Sequence, residues 1–105
     1  MESELFTAGD GALKLSRNPE LTEINRVKAE MVRMLKEGAE GVRLDLTGVE
    51  NITSTTVGMA VAVHLHAVEA GRTLTVAIRE GQKRLFDLTM LTQTLSLEVA
   101  NRPAG

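Results

Sequence analysis

The sequence predicts an α/β domain built on a mixed, mostly parallel β-sheet with an N-terminal β-hairpin and crossover helices, in the order β-β-α-β-α-β-α-β. Three observations carry this. Segments of alternating apolar and polar residues take turns with segments whose apolar residues recur every three or four positions, and that succession implies parallel strands joined by right-handed crossovers. A chain of 105 residues lies within the usual size of one domain, so a single domain over 1–105 is expected. Apolar residues make up 43% of the chain, yet only Phe6 and Phe86 are aromatic and cysteine is absent, so the core has to be Leu, Val, Ile, Met and Ala packed between helices and a sheet.

Each element has its own justification. Glu4–Thr7 and Ala12–Arg17 read as two short strands around Ala8-Gly9-Asp10-Gly11, because Asp-Gly supplies the positive φ that a tight hairpin needs. Asn18-Pro19 breaks the second strand. Ile24, Val27, Met31 and Leu35 then recur at helical spacing among Glu, Lys and Arg, which predicts an amphipathic helix over Leu21–Glu37 that stops before Gly38. Val42, Leu44 and Leu46 alternate with polar neighbours and give a strand over Val42–Thr47, closed by Gly48. Val57–Ala70 is apolar on nearly every side and ends at Gly71, so it is a helix that must be covered on more than one face. Arg72–Ile78 is the next strand, Gln82–Leu91 a third helix and Leu95–Val99 a last short strand, followed by the tail Asn101 to Gly105.

Composition excludes several classes of function. Without cysteine there are no disulfides, thiolate metal sites or cysteine nucleophiles. The formal charge is −2 with basic residues scattered along the chain, and this speaks against nucleic acid, which calls for a basic excess with stacking aromatics. No stretch approaches the roughly 18 apolar residues of a membrane span and no basic-flanked leader precedes Glu2 and Glu4, so no direct membrane insertion and a cytoplasmic location are expected. The glycines of Gly9-Asp10-Gly11 lack the spacing and the following helix of a phosphate loop. His64 and His66, two positions apart on a helix, point about 200° away from each other and do not share a metal. Asp45 and Glu50 could neighbour one another at the strand end, and a solvated pair is the simpler reading there than an acid–base dyad. No catalytic residue, metal or cofactor is expected.

The unusual stretch is Thr53-Ser54-Thr55-Thr56, four consecutive hydroxyl residues between the third strand and the second helix. In open α/β sheets the edge where strand C-termini meet helix N-termini is where ligands and chemistry collect. A helix start leaves backbone N–H groups unpaired and carries partial positive charge, so it suits a phosphate. It suits an ordinary cap equally well, with Ser54 accepting from the amide of Thr56 or Val57, and position alone leaves both open.

The residues from Val42 to Val99 resemble the STAS domain family, whose best-known members are the SpoIIAA-like anti-sigma factor antagonists. The resemblance rests on Leu44-Asp45-Leu46-Thr47-Gly48-Val49, on Glu69-Ala70-Gly71-Arg72-Thr73-Leu74-Thr75-Val76-Ala77-Ile78, and most strongly on Lys83-Arg84-Leu85-Phe86-Asp87-Leu88-Thr89-Met90-Leu91. The family's D-S-S-G motif falls on Thr53 to Thr56, so the resemblance implies Ser54 as the phosphoacceptor with Thr55 next. It departs from the motif at Thr53 for Asp, Thr55 for the second Ser and Thr56 for Gly, and again at Met90, where the family usually has Gly.

The resemblance implies a regulatory domain that binds an ATP-dependent anti-sigma factor serine kinase and is switched off by phosphorylation. Thr53, Thr56, Val57, Gly58 and Met59 would then line the partner contact. Related domains also serve without phosphorylation as scaffolds of stress-sensing assemblies or as partners of lipid-transport ATPases, and a small-ligand sensor is a third alternative. The apolar excess of Val57–Ala70 predicts that part of this helix lies at an interface, with a partner protein or in a homodimer.

Overall fold

A computed structural model describes residues 5–37, 41–88 and 95–100. The chain runs β1 (Phe6–Gly9), β2 (Ala12–Leu15), α1 (Leu21–Lys36), β3 (Gly41–Asp45), α2 (Ser54–Glu69), β4 (Thr73–Arg79), a 3₁₀ turn (Glu80–Gln82), α3 (Lys83–Leu88) and β5 (Ser96–Ala100). These strands form one five-stranded sheet in the order β1-β2-β3-β4-β5. β1 and β2 are antiparallel, and every later pair is parallel. The expected succession of elements and the mixed, mostly parallel sheet are both present.

The hairpin closes on two residues, Asp10 at φ 53° and Gly11 at φ 76°, a pair of left-handed conformations that matches the twist of the strands. Because the loop is that short, Ala8 and Gly9 belong to β1, which spans Phe6–Gly9, while Glu4 of the predicted strand lies outside the described residues. β2 ends at Leu15 rather than Arg17, since Arg17 and Asn18 turn away to bind other segments. At the other end of α2, Gly71 takes φ 70°, and the amide of Arg72 reaches back to the carbonyl of Ala67 at 2.8 Å, stopping the helix.

Period-two alternation puts Leu13, Leu44, Val76 and Leu97 in one cross-strand row, and the first three are fully buried. Val27, Met31 and Leu35 of α1 and Val57, Ala60, Val63 and Ala67 of α2 join these rows in a single core, with Phe86 of α3 completely enclosed. Strands that step steadily in one direction through right-handed crossovers place their helices on the same face. The opposite face carries Thr7, Lys14, Asp45, Ala77 and Glu98 in register and is largely polar, with Arg43 paired to Glu98 across it.

Several boundaries differ from expectation for local reasons. β3 leaves the ladder after Asp45 because the Asp45 carboxylate accepts from the amide and hydroxyl of Thr47, at 2.8 and 2.6 Å, and bends the chain there. α2 starts at Ser54, three residues before the predicted start at Val57, because Thr53 caps it. The predicted third helix divides into the 3₁₀ turn and α3, with Gln82 in the turn, and its residues 89–91 lie outside the described ones. Met90 and the tail 101–105 also lie outside them.

Candidate functional site

Three connections meet at the carboxyl edge of the parallel strands: the one after β2, the one after β3 that leads into α2, and the 3₁₀ turn after β4. The middle one, residues 46–53, is held on both sides by side-chain amides. On one side Gln82, itself buried, donates to the carbonyls of Leu46 at 2.9 Å and Val49 at 2.7 Å while accepting from the amide of Arg79 at 2.7 Å. Arg79 adds a bond to the Val49 carbonyl at 2.9 Å. On the other side the Asn18 oxygen accepts from the Thr53 amide at 3.1 Å and the Thr56 hydroxyl at 2.7 Å, and its nitrogen donates to the Asn51 carbonyl. The loop also passes so close to β2 that a Cβ on Gly48 would sit 3.2 Å from the Leu15 carbonyl oxygen.

This frame fixes where each hydroxyl of the cluster points. Thr53 is the N-cap, in extended conformation at φ −90° and ψ 161°, and its oxygen accepts from the Thr56 amide at 3.3 Å. The expectation that Ser54 caps the helix is therefore corrected: one residue earlier the backbone is still extended and the side chain reaches the third amide, whereas Ser54 is already the first helical residue. Thr56 is completely buried, its hydroxyl bound to Asn18. Ser54 and Thr55 face solvent.

Of the residues expected to meet a partner, Thr53 and Gly58 are exposed, while Thr56, Val57 and Met59 turn their side chains into the core. The outward side of α2 runs instead through Ser54, Thr55, Gly58, Ala62, Leu65 and Val68, spaced three or four residues apart, and has no charge before Glu69. Leu65 and Val68 keep 56% and 58% of their surface exposed, which is the apolar excess of this helix that α1 and the sheet leave uncovered. A Cβ built on Gly58 meets nothing within 4 Å among the described residues, so packing against them gives this glycine no reason.

Charges around the site are mostly engaged. Arg17 holds the Glu23 carboxylate through two bonds at 2.8 and 2.9 Å, and the Glu20 amide adds a third at 2.9 Å. Arg17 first and Glu20 second lower the Glu23 pKa to about 2. The first turn of α2 contains no acidic residue. Two shallow grooves flank the loop, one of about 450 Å³ lined by Ser16, Arg17, Asn18 and Gly48 to Asn51, the other of about 300 Å³ between Ile52 and the Arg84, Leu85 and Leu88 side of α3.

The other sequence candidates go separate ways. Asp45 is used by Thr47, and Glu50 stands exposed on the loop. His66 is exposed, while His64 is half-buried with its Nδ1 shielded from solvent and without a hydrogen-bond partner among the described residues. Among the described residues no three His, Asp or Glu side chains converge as a metal site, and no helix is long and apolar enough to cross a membrane. Sequence reasoning missed Asn18 and Gln82 as determinants of the site. Asn18 was visible only as a strand breaker before Pro19, and nothing about Gln82 distinguishes it from a surface glutamine until the loop it holds is in place.

No protein-family model matches the chain. No curated protein matches it in sequence. Solved structures do match. An anti-sigma factor antagonist from Mycobacterium paratuberculosis superposes with a TM-score of 0.71 at 18% identity, over 90% of this chain and 83% of that one. A proposed anti-sigma factor antagonist from Thermotoga maritima gives a TM-score of 0.69 at 20% identity, over 88% of this chain and 82% of the other. At these identities the likeness speaks for the backbone rather than for the residues on it. The chain has the STAS-like fold of these two structures.

Proposed function

We propose that this chain is a regulatory domain of the anti-sigma factor antagonist type, which binds an anti-sigma factor serine kinase through the outward side of α2 and is released by phosphorylation at Ser54, with Thr55 the second acceptor. It acts in the cytoplasm as ligand and substrate and has no catalysis, metal or cofactor of its own. The observation that carries this reading is the position of Ser54: an exposed hydroxyl on the first turn of α2, heading an uncharged stripe through Gly58, Leu65 and Val68. A phosphate there adds about −1.5 to −2 charges where the helix end accommodates an anion, so the fold tolerates it. The same charge at the head of an apolar contact has to be desolvated against the partner, so binding does not tolerate it. The described fold also resembles structures named as antagonists, which supports the class of function.

The test is incubation with ATP and purified anti-sigma factor serine kinases from the same organism, followed by phosphosite mass spectrometry and binding measurements on wild type, Ser54→Ala and Ser54→Asp. Phosphate on Ser54, binding by Ser54→Ala and loss of binding by Ser54→Asp are the expected results. Equal binding by all three with no phosphate on Ser54 or Thr55 would refute the switch. Exposed Leu65 and Val68, far down the helix from Ser54, would then favour an unphosphorylated scaffold or partner subunit that docks on the same stripe.

A further inference from the structure

We infer that Asn18 is the positioning residue of the Ser54 turn, setting its place at the sheet edge from a different segment of the chain. What it positions the turn for rests on the reading of Ser54 as acceptor. That it positions the turn rests on geometry alone. One side-chain oxygen takes the Thr53 amide at 3.1 Å and the Thr56 hydroxyl at 2.7 Å, with the Thr53 hydroxyl at 3.4 Å, and the nitrogen holds the Asn51 carbonyl. The residues immediately flanking Ser54 and Thr55 are thus bound to Asn18, while the acceptors themselves stay out of the network and exposed.

The base on which Asn18 stands is itself fixed. Pro19 follows it, buried, and restricts the backbone of both residues. Arg17 before it donates to the Asn18 carbonyl at 3.2 Å and is tied to Glu23 of α1. The latch therefore links the first turn of α1 to the first turn of α2 across the carboxyl edge. It also accounts for a buried threonine at 56: the Thr56 hydroxyl is fully enclosed and requires an acceptor, and Asn18 provides it. Without that acceptor the Thr53 cap remains, but the turn is no longer tied to the rest of the edge.

Amide hydrogen exchange on the full chain tests this directly, comparing wild type, Asn18→Ala and Asn18→Asp. In Asn18→Ala the amide of Thr53, whose acceptor is removed, should exchange at least about tenfold faster, as expected when a partly buried bond is lost, while those of Val63 and Ala67 keep their rates. Asn18→Asp keeps an oxygen for both donors and should restore most of the protection. If Asn18→Ala is too unstable to measure, Asn18→Ser replaces it, being too short to reach Thr56. Unchanged exchange at Thr53, or equal acceleration at both ends of α2, would overturn the inference.

In the kinase reaction that tests Ser54, Asn18→Ala should lower kcat/KM at least tenfold and Asn18→Asp recover most of it. Wild-type rates in Asn18→Ala would overturn the positioning role even if exchange were faster. Absence of phosphate on wild-type Ser54 would count against the acceptor reading, and the exchange rates would still decide the role of Asn18.

Discussion

Gly58→Ala should make the isolated domain more stable and its complex weaker. Glycine inside a helix is destabilising by about 0.5–1 kcal/mol relative to alanine, because it loses more backbone freedom on folding. Gly58 lies within α2, its φ is not positive, and an added Cβ meets no atom of the described residues within 4 Å, so neither strain nor overlap offsets that gain. With an unfolding entropy of roughly 2.1 cal/mol/K per residue, a domain of this size should gain about 2–5 °C in Tm. At the interface the sign reverses. If the stripe from Ser54 to Val68 packs closely on a partner, a new methyl in its middle overpacks the contact, which costs typically 1–3 kcal/mol and weakens binding by roughly 5- to 150-fold. Differential scanning calorimetry gives the first quantity and titration of the kinase the second. A destabilised Gly58→Ala would refute the packing described around α2, and a more stable variant with unchanged affinity would remove this stripe from the docking surface.

Further expectations follow from the same frame. Thr53→Ala should cost about 1 kcal/mol by removing the cap, whereas Ser54→Ala stays within about 0.5 kcal/mol of wild type, both read from urea unfolding. Gln82→Leu should lose about 1–3 kcal/mol, because the carbonyls of Leu46 and Val49 lose a buried donor, and equal stability in the same assay would show that solvent replaces it. For Glu23 the folded pKa is depressed from 4.5 to about 2, so its contribution is complete above the unfolded pKa and is lost as pH falls from about 5 towards 2. Titration of the Glu23 carboxyl by NMR should show this depression and Arg17→Ala should remove most of it; an unshifted carboxyl in wild type would contradict the ion pair.

Elements whose signal is local were legible in the sequence. Asp10-Gly11 is a turn because of the φ values these residues allow, and α1 is visible because Val27, Met31 and Leu35 fall on one face. The start of α2 was not legible to the residue, since Thr53 and Ser54 both carry a capping hydroxyl, serine being the better cap, and the choice depends on where Asn18 and the loop hold the backbone. The inward turn of Thr56, Val57 and Met59 was hidden for a related reason. A helix apolar on nearly all sides gives no phase from its own sequence, and only its contacts with α1 and β4 decide which side is outward. Gln82 and Asn18 lie further still from local inference, because each acts on backbone more than thirty positions away.

Once the phase of α2 is known, the four hydroxyls cease to be one motif. A cap requires one side-chain acceptor before the helix, and Thr53 provides it; a buried hydroxyl requires a partner, and Asn18 provides that for Thr56. These two are accounted for by folding alone and would be needed in a domain with no switch. At 100° per residue the two between them are carried to the opposite side, where folding asks nothing of them. Ser54 and Thr55 are exposed, outside the latch, and next to amides that favour an anion. Alanine or lysine would serve the isolated helix at either position, lysine less well beside the positive end, so the fold itself does not demand these two hydroxyls. In the proposed switch, phosphorylation would use both of the properties this position has, an accessible oxygen and a helix end able to hold the charge that results.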